Sequence, residues 1–291
     1  MFRTRLISGI ILVLIALVTI MSGGAILAIV LCGISMIAYR ELTKACGVST
    51  EDKQTDAPVV AGLVMTVLYY AVLFAALYPA DGVKSLDGVY PVLMAAVVLT
   101  LLLLLFLYVF TFPKYKAEQI FAAMFAYLYG PVMLSFIYLI REGFQQGNYL
   151  VWFILLCSWG SDTCAYAVGV LFGRHKMTPR LSPKKSIEGA VGGIVGAALL
   201  FVIYTHLAIN RCTDADISLV LAAVLGAVGA LVSMVGDLAA SAIKRDHDIK
   251  DYGKLIPGHG GIMDRFDSVI IASPLIFWGL VLISRLGGVG L

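Results

Sequence analysis

Long apolar runs recur along the whole chain, and they limit what it can fold into more than any other feature. Each run is about long enough to cross the ~30 Å hydrocarbon core of a bilayer. Helices satisfy their own backbone hydrogen bonds, so such runs favour a helical bundle in lipid. We therefore predict an all-α polytopic membrane protein with about nine transmembrane helices. The predicted spans are residues 6–21, 24–39, 58–78, 91–112, 119–140, 149–172, 189–209, 218–243 and 267–285.

The composition supports this class. The chain is 60% hydrophobic and 13% charged, whereas a soluble domain has about 25% charged residues. The first run follows Arg3 and Arg5 and resembles a signal peptide. Because a second apolar run follows almost at once, we interpret the two as an uncleaved helical hairpin. The five cysteines form no CxxC pair and are interpreted as packing residues, and the lack of a long basic tract argues against nucleic acid as a partner.

Positively charged residues are distributed unevenly between the two sets of loops. With the N-terminus in the cytoplasm, 17 of the 21 Lys and Arg residues fall on the inner side, as the positive-inside rule expects. The C-terminus is then extracytoplasmic. Ten of the inner cations lie in residues 174–188 and 244–265, which indicates an anionic ligand or anionic lipid head groups. We predict two parts: residues 1–148 as a scaffold, and residues 149–291 as the part that carries the most strongly charged cytoplasmic loops.

Asp162 lies within a predicted span, where a carboxylate costs roughly 3 kcal/mol on insertion scales. On a helix, it shares one face with Trp159, Tyr166, Gly169 and Gly173. The two glycines would permit close approach of a neighbouring helix. In the functional interpretation, Asp162 is part of a binding or catalytic site. The structural alternative is an aspartate near the interface that is hydrogen-bonded to a neighbouring helix.

The stretch RLSPKKSIEGAVGGIVG, residues 180–196, carries a second pattern. Ser182 followed by Pro183 predicts a helix N-cap with proline at the first helical position. Lys184 and Lys185 would then lie in the first turn, where cations oppose the helix dipole, so a bound phosphate is one explanation for them. Ordinary positive-inside loop charge is the other. Overlapping GxxxG pairs further along predict tight helix packing: Gly189/Gly193 and Gly192/Gly196.

A third pattern begins in the eighth predicted span. Asp237, Ser241, Lys244 and Arg245 have the spacing of one helical stripe that runs toward the cytoplasmic end. The dipole of a helix does not explain a carboxylate in the middle of an apolar span. Asp237 is therefore a candidate site residue.

The stretch KLIPGHGGIMDRFDS, residues 254–268, concentrates charge and glycine between two apolar runs. Asp264 and Asp267 lie one turn apart at the start of the last predicted helix, where the dipole alone would favour carboxylates. Gly260 and Gly261 permit sharp turns and close approach of the backbone to a ligand. His259 between the glycines is either a phosphate donor or a turn residue.

Carboxylates and cations at this density indicate hard-cation and phosphate chemistry. Mg²⁺ takes one or two carboxylates, keeps waters and binds substrate phosphates. Lysines and arginines nearby would neutralise the remaining phosphate oxygens. No GxxxxGK[ST] or GxGxxG motif occurs, so a P-loop or Rossmann phosphate site is not expected.

The run SAIKRDHDIKDYGKLIPGHGGIMDRFD, residues 241–267, resembles the signature of the phosphatidate cytidylyltransferases, the CDP-diacylglycerol synthases. The upstream segments around Asp162 and around residues 182–189 also resemble that family, with Ser186 where threonine is common. The resemblance covers about residues 159–267. It implies an integral membrane enzyme that converts CTP and phosphatidate into CDP-diacylglycerol and pyrophosphate. It also implies Mg²⁺ with a second cation such as K⁺, a homodimer, and a bacterial-type inner membrane with the active site facing the cytoplasm. Residues 149–291 would then be the catalytic part, and residues 1–148 would include a dimerisation region as well as the scaffold.

The resemblance also implies roles for individual residues. The metal ligands would be Asp237 and Asp264, with Asp267 as a weaker third candidate. The groups that hold phosphates would be Lys244, Arg245, His259 and Arg265. The groups that bind CTP or the lipid head group would be Ser182, Lys184, Lys185, Ser241, Lys250, Gly260 and Gly261. Asp162 would orient these cations or contribute to the metal site, and no side-chain nucleophile is indicated.

Two other functions are compatible with part of this pattern. A CTP-dependent lipid kinase of the dolichol kinase type would release CDP instead of pyrophosphate. An ion-coupled transporter would use buried carboxylates to bind a cation near the bilayer midplane. The charges here concentrate on one predicted cytoplasmic face, which argues against transport. A CDP-alcohol phosphotransferase is disfavoured because its DGx2AR…Gx3Dx3D pattern is absent.

Overall fold

The computed structural model describes residues 2–48, 56–78, 86, 88–258 and 260–287, with side chains from residue 8 onward and not for residue 287. The described part of the chain is predominantly helical. Its α-helices are α1 (Phe2–Ser22), α2 (Gly24–Ala45), α3 (Ala57–Leu77), α4 (Val89–Phe110), α5 (Ala117–Tyr127), α6 (Met133–Gly143), α7 (Gly147–Leu150), α8 (Trp152–Leu155), α9 (Ser161–Phe172), α10 (Ile187–Tyr204), α11 (Leu219–Asp246) and α12 (Met263–Gly287).

In the part of the chain that the structure describes, three π-helical turns join or extend these helices. Leu128–Val132 links α5 to α6, Leu156–Gly160 links α8 to α9, and Thr205–Ile209 extends α10. Eight helical segments of the described chain are long and apolar enough to cross a membrane. These eight correspond to the predicted spans from the second to the ninth, although the predicted spans 58–78, 91–112 and 218–243 extend one or two residues beyond the helices. The first predicted span falls in α1, whose described apolar part, Ser8–Ser22, is shorter than the other eight.

A small antiparallel ribbon lies between α9 and α10 and corrects one prediction. Strand β1 (Lys176–Thr178) pairs with β2 (Ser182–Ser186). The predicted helix start at Ser182 is therefore wrong, since this residue and the two lysines that follow it are extended. Helix α10 begins at Ile187, and the hydroxyl of Ser186 accepts the N–H of Gly189 as its N-cap. The physical reason is pairing with β1, a partner that the Ser-Pro pattern does not reveal.

The chain divides into two compact units, the first comprising Met1–Tyr138 with Asp246–Arg265 and the second Leu139–Arg245 with Phe266–Leu291. Buried hydroxyls link the helices of the first unit. The Tyr39 hydroxyl donates to the Pro58 carbonyl at 3.0 Å, and those of Tyr69 and Ser135 are 2.6 Å apart. Hydrogen bonds of this kind hold helices together in lipid, where apolar burial gives little preference for one helix partner over another.

Glycines bring α9 and α10 of the second unit close together. A methyl group on Gly193 would lie 3.0 Å from the Ala165 Cβ, and one on Gly196 would lie 2.5 Å from the Cys164 Cβ. A methyl group on Gly189 would lie 2.8 Å from the Ala165 carbonyl oxygen. The predicted role of the overlapping GxxxG pairs in helix packing is therefore confirmed.

Candidate active site

Two aspartates of the second unit meet where α11 crosses α12. A methyl group on Gly236 would lie 2.9 Å from the Ile271 Cβ and 3.1 Å from the Asp267 carbonyl oxygen, so only glycine lets the helices come this close. The next residue, Asp237, has its side chain within hydrogen-bonding reach of the Asp267 carboxyl group. Asp267 is buried and Asp237 is half-buried. Two ionised carboxylates in such contact repel each other, so positive charge nearby would stabilise the pair.

Two lysines and a third carboxylate lie near this carboxyl pair. The Lys185 ammonium group forms an ion pair with Asp237, and both side chains are less than a third exposed. Asp162 is near enough to both groups to interact with them electrostatically, and Lys244 interacts in the same way with Asp267. We call these five residues the acidic–lysine cluster. With three carboxylates and two ammonium groups, it has an excess of negative charge when all five groups are ionised.

A cavity of about 420 Å³ opens beside the cluster, between α9, α10 and the ribbon. Its polar wall is formed by Asp162, Lys176, Lys184, Lys185 and Ser186. The rest of the wall is largely apolar and comprises Ala165, Tyr166, Gly169, Val170, Met177, Gly189, Ala190 and Met234. The cavity therefore has cations along one part of its wall and an apolar surface along another.

The predicted face of α9 is largely present in this wall. Asp162, Tyr166 and Gly169 all line the cavity. Gly169 also allows close packing, since a methyl group there would lie 3.2 Å from the Ser186 hydroxyl. Trp159 belongs to the preceding π-helical turn, where the residues per turn differ from those of an α-helix. The sequence pattern predicted one regular helix across this turn and α9.

The glycine-rich segment before α12 is folded around Asp264, in the first unit. One oxygen of this carboxylate, Oδ2, accepts the N–H of Tyr252 at 2.8 Å and the N–H of Gly261 at 3.0 Å. Gly260 has φ +89°, and a methyl group there would lie 2.8 Å from the same oxygen. In this structure, the glycines therefore let the backbone come close to the Asp264 carboxylate of the chain itself.

A second carboxylate at this segment was missed in the sequence. Glu41, near the end of α2, accepts the N–H of Ile262 at 3.1 Å and the N–H of Met263 at 2.8 Å. Its position directly after an apolar span was the only sequence signal, because its partners lie more than 220 residues away. Lys176 was also missed as a cavity residue, since only the pairing of β1 with β2 brings it there.

The other predicted site residues are distributed as follows. Ser241, Lys244 and Arg245 lie in α11, as the spacing predicted, and Ser182 lies in β2 outside the cavity wall. Lys250 and Arg265 are exposed residues of the first unit. His259 lies outside the described residues. The roles assigned to these residues in binding or catalysis remain predictions.

The donor set of the cluster fits a hard divalent cation. No group of three or more His, Cys, Asp or Glu side chains within the described ranges could hold a metal ion. Mg²⁺ does not require such a group, because it is commonly held by one or two carboxylates with waters and substrate phosphates. The adjacent carboxyls of Asp237 and Asp267 provide two carboxylates that a cation would stabilise. Asp264, predicted with Asp237 as one of the two principal ligands, instead accepts backbone N–H groups in the first unit.

Comparisons with known proteins agree with the sequence resemblance. Residues 3–283 match the cytidylyltransferase family. A phosphatidate cytidylyltransferase of Bacillus subtilis is 27% identical over 97% of this chain and 98% of its own length. Proteins of the same name from Thermotoga maritima and Staphylococcus saprophyticus are 34% and 37% identical over 57% and 50% of this chain, which are 60% and 54% of their own lengths.

Proposed function

Because the chain belongs to the cytidylyltransferase family, we propose that the acidic–lysine cluster and its cavity are the site of cytidylyl transfer to a lipid phosphate. The enzyme transfers a cytidylyl group from CTP to phosphatidate and so makes CDP-diacylglycerol for phospholipid biosynthesis. The observation that supports this site most strongly is the contact between the Asp237 and Asp267 carboxyls, with Lys185 paired to one of them.

The reaction requires two anionic groups to meet. A phosphate oxygen of phosphatidate forms a bond to the α-phosphorus of CTP, and the bond from that phosphorus to the departing pyrophosphate breaks. Two unit charges of like sign 4 Å apart repel by about 4 kcal/mol at an effective dielectric constant of 20. Lys185 and Lys244 lie beside the carboxyl pair and would offset this repulsion. The chain then contributes positioning and charge neutralisation, with no covalent intermediate on a side chain.

We propose Asp237 and Asp267 as the residues that hold Mg²⁺; the role of Asp264 as a ligand stays a prediction from the family resemblance. When bound, Mg²⁺ would supply positive charge to the phosphates and help to orient them. Lys185 keeps Asp237 in place through their ion pair, and Asp162 is near enough to orient Lys185. The second cation implied by the resemblance, such as K⁺, is also a proposal.

The lining of the cavity favours phosphatidate over CTP as its occupant. A lipid presents an anionic phosphate beside apolar chains, and the cavity presents lysines beside an apolar wall. Tyr166 and Val170 continue from this wall to the exposed surface of a helix that is apolar enough to span a membrane. Acyl chains could therefore extend from the cavity into the bilayer while the phosphate contacts Lys184 or Lys176.

Replacing Lys184 by alanine is expected to raise KM for phosphatidate about fivefold and to leave KM for CTP nearly unchanged. A lysine near a charged lipid surface contributes about 1 kcal/mol, and Lys184 is an exposed residue of the cavity wall. Steady-state kinetics in mixed micelles, with each substrate varied in turn, provide the measurement. Lys184→Arg should retain most of the affinity. An increase confined to KM for CTP would instead place the nucleotide in the cavity.

The arrangement in the membrane is proposed from the charges. We propose that α1 also spans the bilayer, giving nine spans with a cytoplasmic N-terminus and an extracytoplasmic C-terminus. The protein would lie in a bacterial-type inner membrane, with the acidic–lysine cluster at the cytoplasmic face where CTP is available. A homodimer remains a prediction from the family resemblance.

The nucleotide product distinguishes this function from its nearest alternative. Purified protein incubated with CTP, phosphatidate and Mg²⁺ should release pyrophosphate in a 1:1 ratio to the lipid product. Anion-exchange chromatography of the aqueous phase provides the measurement. Release of CDP would indicate a CTP-dependent lipid kinase. Movement of substrate across a sealed vesicle with no change in either compound would indicate a transporter.

A further inference from the structure

Glu41 connects two parts of the first unit that are distant in sequence. Its two carboxylate oxygens accept separate backbone N–H groups, Oε1 that of Ile262 and Oε2 that of Met263. Met263 is the first residue of α12, so Glu41 occupies the position of an N-terminal cap supplied by another helix. A carboxylate here is favoured both by charge-assisted hydrogen bonds and by the helix dipole.

The glycines of residues 250–265 leave room for this carboxylate. The three nearest atoms to a methyl group on Gly261 would all belong to the Glu41 carboxylate, with its carbon at 2.6 Å. A methyl group on Gly253 would also overlap Glu41, with the carboxylate carbon at 2.8 Å. Gly261 has no positive φ that would require glycine by itself. Contact with Glu41 is therefore the structural reason for glycine at this position.

Glu41 and Asp264 together fix the path of the segment. Asp264 holds the N–H groups of Tyr252 and Gly261, while Glu41 holds those of the next two residues after Gly261. Ile256 and Gly260 pair with each other in a short antiparallel bridge within this segment. Consecutive N–H groups from residue 261 to residue 263 thus donate to two carboxylates. The conformation of the signature segment depends on a residue outside the signature.

We propose that Glu41 is a positioning residue for the transfer reaction. By holding the first turn of α12 and the preceding glycines, it sets the backbone conformation of the segment that contains Lys250, Asp264 and Arg265. This inference rests on the proposed function for its activity measurement. It predicts that α2, which belongs to the part predicted as a scaffold, contributes directly to the geometry of the signature segment.

The first test replaces Glu41 by glutamine, which keeps the shape but offers one acceptor oxygen where two are needed. We expect kcat per folded molecule to fall about tenfold at a temperature well below the thermal transition. Glu118→Gln is the matched control, because Glu118 is exposed on α5 and should change kcat less than twofold. Equal kcat values for Glu41→Gln and wild type would overturn the proposal.

The second test is a double-mutant cycle that combines Glu41→Ala with Gly261→Ala. Gly261→Ala alone should lower both the thermal midpoint and kcat, because the new methyl group overlaps the carboxylate. In the Glu41→Ala background, the same change should cause little further loss in either quantity. Gly33→Ala is the control glycine substitution, since a methyl group there has no described neighbour within 4 Å.

The cycle also separates this inference from the proposed function. If Gly261 were needed for approach of a substrate, Gly261→Ala would lower kcat equally in both backgrounds, and the proposal would be wrong. If Gly261→Ala alone yields no folded protein, recovery of folded protein on adding Glu41→Ala supports the proposal, and failure to recover contradicts it. The double-mutant cycle measured on the thermal midpoint does not depend on which reaction the enzyme catalyses. Absence of lipid product from the wild type would count against the proposed function alone.

Discussion

Replacing Asp267 by asparagine should lower kcat on the order of 10²–10³-fold while the protein still folds. Asparagine has nearly the same size, and it removes one of two carboxyls in direct contact. Loss of that charge relieves their repulsion, so the thermal midpoint should stay the same or rise. A higher or unchanged midpoint with a large loss of kcat is what a functional carboxyl pair predicts. The measurements are CDP-diacylglycerol formation and thermal unfolding in the same detergent.

The matched control for this prediction is Asp214→Asn. Asp214 is an exposed aspartate of the same unit, in the loop before α11. The Asp214→Asn variant should have a kcat within twofold of the wild-type value. Asp237→Asn should resemble Asp267→Asn, and the double variant should be little worse than either, because groups that act as a unit are not additive. Near-normal turnover by Asp267→Asn would remove this residue from the site.

Lys185→Met should have the second large effect, on both stability and turnover. The substitution leaves Asp237 without its ion-pair partner, close to both Asp162 and Asp267. Breaking one side of a fully buried ion pair costs about 3 kcal/mol or more, and the cost should be smaller here because both side chains are partly exposed. Loss of a preorganised charge should lower kcat about 10²-fold. Urea unfolding and initial rates in the same detergent provide the two measurements. Lys185→Arg should recover part of both.

A double variant separates the two roles of Lys185. Adding Asp237→Asn to Lys185→Met removes the unpaired carboxylate, so the stability should return toward the wild-type value. The turnover should remain low, because both the cation and the carboxylate pair are lost. Recovery of turnover together with stability would mean that the ion pair only supports the fold.

The helices were predictable because each one is specified locally. A long apolar run needs no partner to become helical in lipid, so hydropathy alone indicates where it lies. The stripe of Asp237, Ser241 and Lys244 was predictable for the same reason, since all three lie on one helix. The overlapping GxxxG pairs also indicated close packing correctly, although they did not identify α9 as the partner.

The ribbon was not predictable from its own residues. Ser182-Pro183 is a good local signal for a helix start, but Lys176–Thr178 lies close enough to pair with it. Proline is tolerated here because the ribbon has only two strands, so both are edge strands. Lys184 and Lys185 therefore lie in the wall of a cavity and not in the first turn of a helix. Lys176 lies in the same wall.

Sequence patterns did not predict contacts between residues that are far apart in the sequence. The sequence suggested Asp237 and Asp264 as the principal pair of carboxylates, with Asp267 third. The structure instead shows Asp267 in contact with Asp237, and Asp264 hydrogen-bonded to the backbone of its own segment. Glu41 illustrates the same limit, because its partners follow it by more than 220 residues. The density of charge in residues 254–268 is thus partly explained by folding of the segment itself.

The position of a radioactive label shows directly whether the cytidylyl group of CTP is transferred to the lipid. Wild-type protein is given phosphatidate, Mg²⁺ and CTP labelled at either the α- or the γ-phosphorus, and the lipid is then extracted. We expect the α-label to enter the lipid and the γ-label to stay in the aqueous phase as pyrophosphate. Asp267→Asn should transfer the α-label on the order of 10²–10³-fold more slowly. Appearance of the γ-label in the lipid, or undiminished α-label transfer by Asp267→Asn, would contradict these expectations.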